Sequence, residues 1–134
     1  MDRVLVVDDS PTIRRMVMAS LRGICVGGFA EAASGLEAIE QLALGPASLM
    51  MLDLNMPDMH GLDVLKFVRG HTAFSTLPVV VLTTRGDESS RAAALAAGAS
   101  LYLTKPFAPA ALAGEVRALF ERLGTSVPSE EPRR

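Results

Sequence analysis

The chain has 134 residues, of which 49% are apolar and 21% are charged, and this balance and length fit a globular protein of one domain. Its formal net charge of −2 lacks the basic excess that binding to nucleic acid or an anionic membrane usually requires, so neither partner is expected. A single cysteine, Cys25, excludes an internal disulfide, and we expect it to pack as a small apolar residue. With no apolar run of about 18 residues, and with Asp8 and Asp9 interrupting any signal-peptide pattern, a cytoplasmic protein is expected.

Short apolar runs alternate with helical patterns through the first half of the chain. The run at 4–7 is typical of a buried strand, and Ser10 followed by Pro11 is typical of a helix start. A second, weaker strand is predicted around Phe29. The helix after it is predicted to begin at Ser34, which is followed by a glutamate at the spacing of a capping box.

The same alternation continues in the second half. Strands are predicted at 48–52, 78–82 and 100–103. Of the helices that follow them, the first ends at Gly70, the second is capped by Asp87, and the third begins at Pro109 and ends at Gly124.

Five strand–helix alternations predict an α/β fold with a five-stranded parallel sheet in the order 2-1-3-4-5 and helices on both faces, the flavodoxin-like (βα)5 arrangement. The apolar strands fit this fold because strands buried on both faces have continuous apolar runs. We assign the folded domain to residues 1–123. The polar, proline-containing segment 124–134 is expected to be a disordered tail.

Polar side chains follow several of the predicted strands where each strand ends. In a parallel sheet these ends share one edge, and ligands bind there beside the point where strand order reverses. That point lies between strands 1 and 3, which carry two of the acidic positions. The residues expected to converge are Asp8, Asp9, Asp53, Thr83, Thr84 and Lys105.

Clustered carboxylates at such an edge suit a hard divalent cation. Mg²⁺ takes one or two carboxylates, keeps several waters and completes its shell with a phosphate oxygen. Mn²⁺ suits the same oxygen ligands and could take its place. Lys105 adds a charge for a phosphoryl oxygen, and Thr83 adds a hydrogen-bond donor. These groups meet the needs of phosphoryl transfer, in which a carboxylate can also act as the covalent acceptor.

Four motifs together resemble a bacterial two-component response-regulator receiver domain. They are VVDDS, LDLNMPDMHGL, LPVVVLTT and GASLYLTKPF, in the order and at the strand ends that the family uses. The resemblance covers residues 3 to about 123. The stretch DDSPTIRRMV is most similar to the chemotaxis-type, single-domain members.

The resemblance implies a role for each matched position. Asp53 aligns with the phosphate-accepting aspartate, Asp8 and Asp9 with the acidic pair that holds Mg²⁺, and Asn55 with a main-chain carbonyl ligand. Thr83 aligns with the switch hydroxyl, Lys105 with the family's lysine, and Tyr102 with an aromatic residue that changes rotamer on activation. The Lys105–Pro106 bond matches one that is usually cis.

Three positions beside the matched residues are expected to tune the lifetime of the phosphoryl group. Asn55 lies two residues after Asp53, and Arg85 lies two after Thr83, where side chains can admit or block attacking water. Thr84 stands where the family often has alanine or glycine, and its bulk is expected to narrow access.

The resemblance implies a signalling protein rather than a classical enzyme. Asp53 would accept a phosphoryl group from a sensor histidine kinase or phosphotransfer protein, and a monomer would then pass the signal to a protein effector. Its only reactions would be Mg-dependent self-phosphorylation and self-dephosphorylation. The signal would pass through the face formed by helix 4, strand 5 and helix 5.

Alternatives with related chemistry remain open at this stage. The chain could be the receiver of a longer response regulator, although Ala111 and Glu115 differ from the glutamate and arginine of the DNA-binding subfamily. A relay intermediate or phosphate sink would use the same residues. A metal-dependent phosphatase would need a second aspartate where this chain has Asn55.

Overall fold

Five strands and five helices alternate along the part of the chain that the computed structural model describes, residues 3–24 and 27–124. Cys25 and positions 125–134 of the predicted tail lie outside the described residues. In chain order the elements are β1 (Arg3–Val7), α1 (Pro11–Leu21), β2 (Phe29–Ala32), α2 (Gly35–Leu44), β3 (Ala47–Leu52), α3 (Gly61–Gly70), β4 (Val79–Thr83), α4 (Glu88–Ala96), β5 (Leu101–Thr104) and α5 (Pro109–Arg122).

The strands form one sheet in the order β2-β1-β3-β4-β5, and every neighbouring pair is parallel. This confirms the predicted fold class and strand order. None of the described helices has the length and apolar character needed to cross a bilayer.

Alternate side chains of each strand pack against opposite faces of the sheet. Val4 and Val6 belong to an apolar cluster formed with α1 and α5, whereas Leu5 and Val7 belong to one formed with α2 and α3. Phe120 of α5 is among the largest fully buried side chains. Because each buried side chain of this size contributes roughly 1.5–3 kcal/mol, the two clusters fix the sheet between its helix layers.

Side-chain caps begin three helices at the predicted residues. The side chains of Ser10, Ser34 and Asp87 each accept a hydrogen bond from an amide three residues later. At α2 the reciprocal bond of a capping box is displaced, because the carboxylate of Glu37 accepts from the amide of Ala33 at 2.8 Å, one residue before the cap.

Strand boundaries differ by one residue from those predicted. β3 begins at Ala47, and both β4 and β5 are shifted one residue toward the carboxyl terminus. The shift makes Thr83 the last residue of β4, where its carbonyl accepts a hydrogen bond from the amide of Lys105 at 2.8 Å. The side chain of Thr83 is therefore held inside the sheet edge, with 0% exposure.

Candidate functional site

Main-chain hydrogen bonds at the ends of β1 and β3 fix the positions of Asp8 and Asp53. The amide of Asp8 donates to the carbonyl of Ala32 at 3.0 Å, and the amide of Asp53 donates to the carbonyl of Val7 at 3.0 Å. These bonds extend the sheet by one residue on each side of β1. Both carboxylates consequently lie at the same edge of two adjacent strands.

Three carboxylates meet at this edge. Asp8, Asp9 and Asp53 each offer an oxygen, and these oxygens lie within 4.8 Å of one another. Asp8 and Asp53 are only 3% and 5% exposed, whereas Asp9 is exposed. The cluster combines two buried oxygen donors with one that solvent reaches, which is an arrangement that a hydrated divalent cation can enter.

Lys105 brings a partly buried positive charge to the same group. Its Nζ lies 2.6 Å from Oδ2 of Asp8 and 3.6 Å from Oδ2 of Asp53. Three carboxylates and one ammonium leave the ionised cluster with a formal charge of −2, the charge that one divalent cation neutralises. The ammonium also provides a fixed donor for an anionic oxygen brought to this edge.

The carboxyl group of Asp53 has a pKa above its ordinary value. Burial raises its pKa, and the charge of Asp8 acts in the same direction, while Lys105 opposes them. Its Oδ1 is buried and has no hydrogen-bond partner among the described residues. Since a buried acceptor without a partner costs free energy, this oxygen is suited to bind a cation or to react with an incoming electrophile.

The acidic pair is supported by contacts that the sequence did not reveal. The amide of Ser10 donates to Oδ1 of Asp8 at 2.9 Å. Arg14 of α1 donates from Nη1 to the carbonyl of Asp8 at 2.6 Å and from Nε to Glu31 of β2 at 2.8 Å. These bonds fix the peptide that joins Asp8 to Asp9, and with it the direction in which Asp9 leaves β1.

The side chains beside the cluster are arranged around Thr83. Its Oγ1 accepts from Nδ2 of Asn55 and from the amide of Arg85, both at 3.4 Å. Asn55, Thr84 and Arg85 are exposed. The guanidinium of Arg85 pairs with Asp87, its Nε lying 3.5 Å from Oδ1, so the charge of Arg85 is directed toward the start of α4.

Tyr102 of β5 connects to the same loop. Its ring is buried in a small apolar cluster with Leu54 and Ala94, and its hydroxyl donates to the carbonyl of Arg85. Burial of the ring raises the pKa of the hydroxyl. Tyr102 and Thr83 thus both contact the segment between β4 and α4. The bond between Lys105 and Pro106 is cis, as the resemblance implied.

The loop between β3 and α3 carries Asn55 and is closed at its base. The amide of Gly61 donates to the carbonyl of Leu54 at 2.8 Å. A Cβ at Gly61 would lie 2.5 Å from the carbonyl oxygen of Asp53 and 2.6 Å from Cα of Leu54. The loop therefore requires glycine at this position in order to return beside the acidic residue.

The chain belongs to the response regulator receiver domain family, whose model matches residues 4–117. Members of this family are signalling domains. The chain is 38% identical over 125 residues to chemotaxis protein CheY1 of Helicobacter pylori, covering 92% of this chain and 98% of that protein. It is thus a CheY-like receiver, as the four motifs implied.

Solved structures agree with this assignment. The BeF3-activated receiver domain of DrrB superposes with a TM-score of 0.81 at 27% identity, covering 91% of this chain and 99% of that domain. The Mn²⁺-bound form of response regulator Rcp1 superposes with a TM-score of 0.78 at 26% identity, covering 96% of this chain and 100% of that one.

Proposed function

We propose that Asp53 accepts a phosphoryl group from a phosphohistidine of a sensor histidine kinase or a phosphotransfer protein. A carboxylate oxygen of Asp53 attacks phosphorus as the phosphorus–nitrogen bond breaks, and the departing imidazole takes up a proton. The observation that carries the proposal is the buried, unpartnered Oδ1 of Asp53 beside two further carboxylates and an ammonium.

The residues present fit Mg²⁺, and Mn²⁺ could replace it. The ligands would be carboxylates of Asp8, Asp9 and Asp53 with the main-chain carbonyl of Asn55, an all-oxygen set of the kind that Mg²⁺ prefers. Bound metal would neutralise charge that develops on the transferred phosphoryl oxygens. Lys105, already paired with Asp8 and Asp53, would turn one of its protons toward a phosphoryl oxygen.

The output would pass through the face formed by α4, β5 and α5. Thr83, whose hydroxyl oxygen accepts from Asn55 and from the amide of Arg85, would also donate its hydroxyl hydrogen to the new phosphoryl oxygen. A movement of Thr83 toward that oxygen would pull on both of its present donors. Tyr102 holds the carbonyl of Arg85, so a movement of that loop changes the position of its ring. One hydrogen bond of about 1–3 kcal/mol shifts a two-state population by roughly tenfold to a hundredfold, which is enough for a switch.

The lifetime of the phosphoryl group would depend on exposed side chains next to the site in the sequence. Asn55, Thr84 and Arg85 are exposed and lie within two residues of Asp53 or Thr83 in the chain, so their side chains would control the access of a hydrolysing water. Similarity to a chemotaxis protein favours output to a protein partner. The receiver would act in the cytoplasm as a monomer. We assign this receiver unit to residues 1–123.

The proposal is tested by labelling the protein with beryllofluoride, a phosphoryl mimic, and with a small phosphodonor. The wild-type protein should take up one group, at Asp53, and only with Mg²⁺ present. Asp53→Asn keeps the shape but removes the nucleophile, so it should take up none, whereas the exposed Asp63→Asn control should label normally. Labelling of Asp53→Asn to the wild-type level, measured by intact mass, would show that the acceptor assignment is wrong.

A further inference from the structure

Helix α2 begins on a carboxylate from a different part of the chain. The amide of Gly35 donates to Oδ1 of Asp58 and the amide of Leu36 donates to Oδ2, both at 3.0 Å. The third amide, that of Glu37, is capped locally by the hydroxyl of Ser34 at 3.2 Å. Asp58 therefore satisfies two helix-terminal donors that have no partner within their own helix, and its charge faces the positive end of the helix.

Asp58 lies in the same loop as Asn55. That loop is closed at its base by the bond between Leu54 and Gly61 and attached at its tip to α2 by Asp58, so Asn55 lies between two anchors. The tip is also held by packing, because a Cβ at Gly35 would lie 2.8 Å from Cβ of Met59. The loop is thus fastened across to α2 by one bidentate carboxylate and one close contact.

We propose that Asp58 is a positioning residue for the metal site. By holding the loop against α2, it sets the place of the Asn55 main-chain carbonyl relative to Asp53 before the cation arrives. This inference rests on the proposed metal site. Asp58 itself is exposed and does not belong to the group of three carboxylates, so it acts through the loop rather than as a ligand.

The hydrogen bonds between Asp58 and α2 and the binding of metal should favour each other. If the bond between Asp58 and α2 favours metal binding, bound metal must strengthen that bond by the same factor. Mg²⁺ should therefore slow hydrogen exchange of the Gly35 and Leu36 amides, although both lie in a different element from the proposed ligands.

The experiment measures Mg²⁺ affinity by calorimetry for the wild-type protein and three variants. Asp58→Ala removes both hydrogen bonds that attach the tip of the loop to α2. It should weaken Mg²⁺ binding by about tenfold, the low end of the range for residues that orient metal ligands. Ser34→Ala removes the other side-chain cap of α2 without touching the loop, and it should bind Mg²⁺ as the wild type does. Asp63→Asn removes an exposed negative charge near the loop and should also leave the affinity unchanged.

Hydrogen exchange gives a second measurement that needs no metal. In metal-free Asp58→Ala the amides of Gly35 and Leu36 should exchange faster than in the wild type. If Asp58→Ala folds poorly, Asp58→Asn retains one acceptor oxygen and should give an intermediate affinity and intermediate exchange.

The possible results separate this inference from the proposed function. Wild-type affinity in Asp58→Ala would overturn the inference alone. If Ser34→Ala lost as much Mg²⁺ affinity as Asp58→Ala, the effect would come from the stability of α2. If Asp63→Asn lost as much, the effect would come from the removed negative charge. Either result overturns the positioning role. A wild-type protein that binds no Mg²⁺ would overturn the proposed metal site and this inference together.

Discussion

Replacing Lys105 should lower the free energy of unfolding of the metal-free protein and raise its affinity for a divalent cation. The ammonium is the positive charge that the structure holds 2.6 Å from Asp8 and 3.6 Å from Asp53. In Lys105→Met the ionised cluster changes from a formal charge of −2 to −3. The carboxylates then repel one another without compensation, and the opposing influence of Lys105 on the raised pKa of Asp53 is lost.

The expected loss of folding stability in Lys105→Met follows from these two distances and from the burial of the side chains. At an effective dielectric constant of about 20, each of the two attractions is worth roughly 5–6 kcal/mol before desolvation is subtracted. The Lys105 side chain is 12% exposed, so its own desolvation offsets much of this gain. Removing one partner of a buried pair typically costs about 3–5 kcal/mol, and we expect about 3 kcal/mol here.

Mg²⁺ should reverse part of this loss. Without the ammonium, the cluster carries one more unit of net negative charge. At about 5 Å from the cation and the same dielectric constant, that unit attracts each unit of cation charge by roughly 3 kcal/mol. The affinity for Mg²⁺ should therefore rise by at least about tenfold. The measurements are urea unfolding without metal and calorimetric titration with Mg²⁺. The other lysine of the chain, Lys66, is exposed on α3, and Lys66→Met should change neither quantity.

The reasoning fails if Lys105→Met is as stable as the wild type, because the ammonium would then not be compensating the carboxylates. It fails separately if the variant binds Mg²⁺ no more tightly. That result would mean that the lysine and the cation do not share the same negative charge.

Three further predictions follow from the same structure. Gly61→Ala should lower the free energy of unfolding in urea by at least about 2 kcal/mol, because its Cβ would meet main-chain atoms at 2.5–2.6 Å. Gly70→Ala, at the other end of α3, meets nothing within 4 Å and should leave the stability unchanged or raise it. Equal stabilities of the two variants would refute the steric argument. Thr83→Ala should still bind beryllofluoride but should lose the amide chemical-shift changes on α4 and β5, and wild-type shift changes would remove Thr83 from the switch. Hydrogen bonds from Ser90 hold the pKa of Asp87 below its ordinary value of 3.8, so its stabilisation is complete above that pH and is lost as the pH falls through the lowered pKa. The difference in Tm between wild type and Asp87→Ala should accordingly shrink below about pH 4, and a difference that stays constant with pH would contradict this assignment.

The sheet and the acidic cluster were predictable because both follow from patterns along the chain. Alternating strands and helices impose a parallel sheet, and a parallel sheet brings the residues that end its strands to one edge. That rule was sufficient to place Asp8, Asp53 and Lys105 together. Strand ends were displaced by one residue because apolar runs do not indicate where the hydrogen-bonded ladder stops.

The supporting contacts were not predictable, because their partners are main-chain groups. Asp58 accepts from the main-chain amides of Gly35 and Leu36, which lie 23 and 22 positions before it in the chain, and Arg14 donates to a main-chain carbonyl. Every residue type offers a main-chain carbonyl and all but proline offer an amide, so the sequence does not mark these partners. Helical spacing likewise did not separate buried from exposed apolar positions, since Met16 and Leu36 fit it and yet are 42% and 56% exposed. Which side of a helix is covered depends on the elements packed on it.

The ion pair between Asp8 and Lys105 joins residues 97 positions apart in the chain. Asp8 directly follows β1, the second strand in the sheet order, and Lys105 directly follows β5, the last strand, so the pair spans the edge of the sheet across β3 and β4. A partly folded chain with one half of the sheet therefore has acidic residues but no complete site. Binding of a phosphoryl mimic would consequently report the completed fold, and its rate of appearance during refolding would time the docking of β5 against β4.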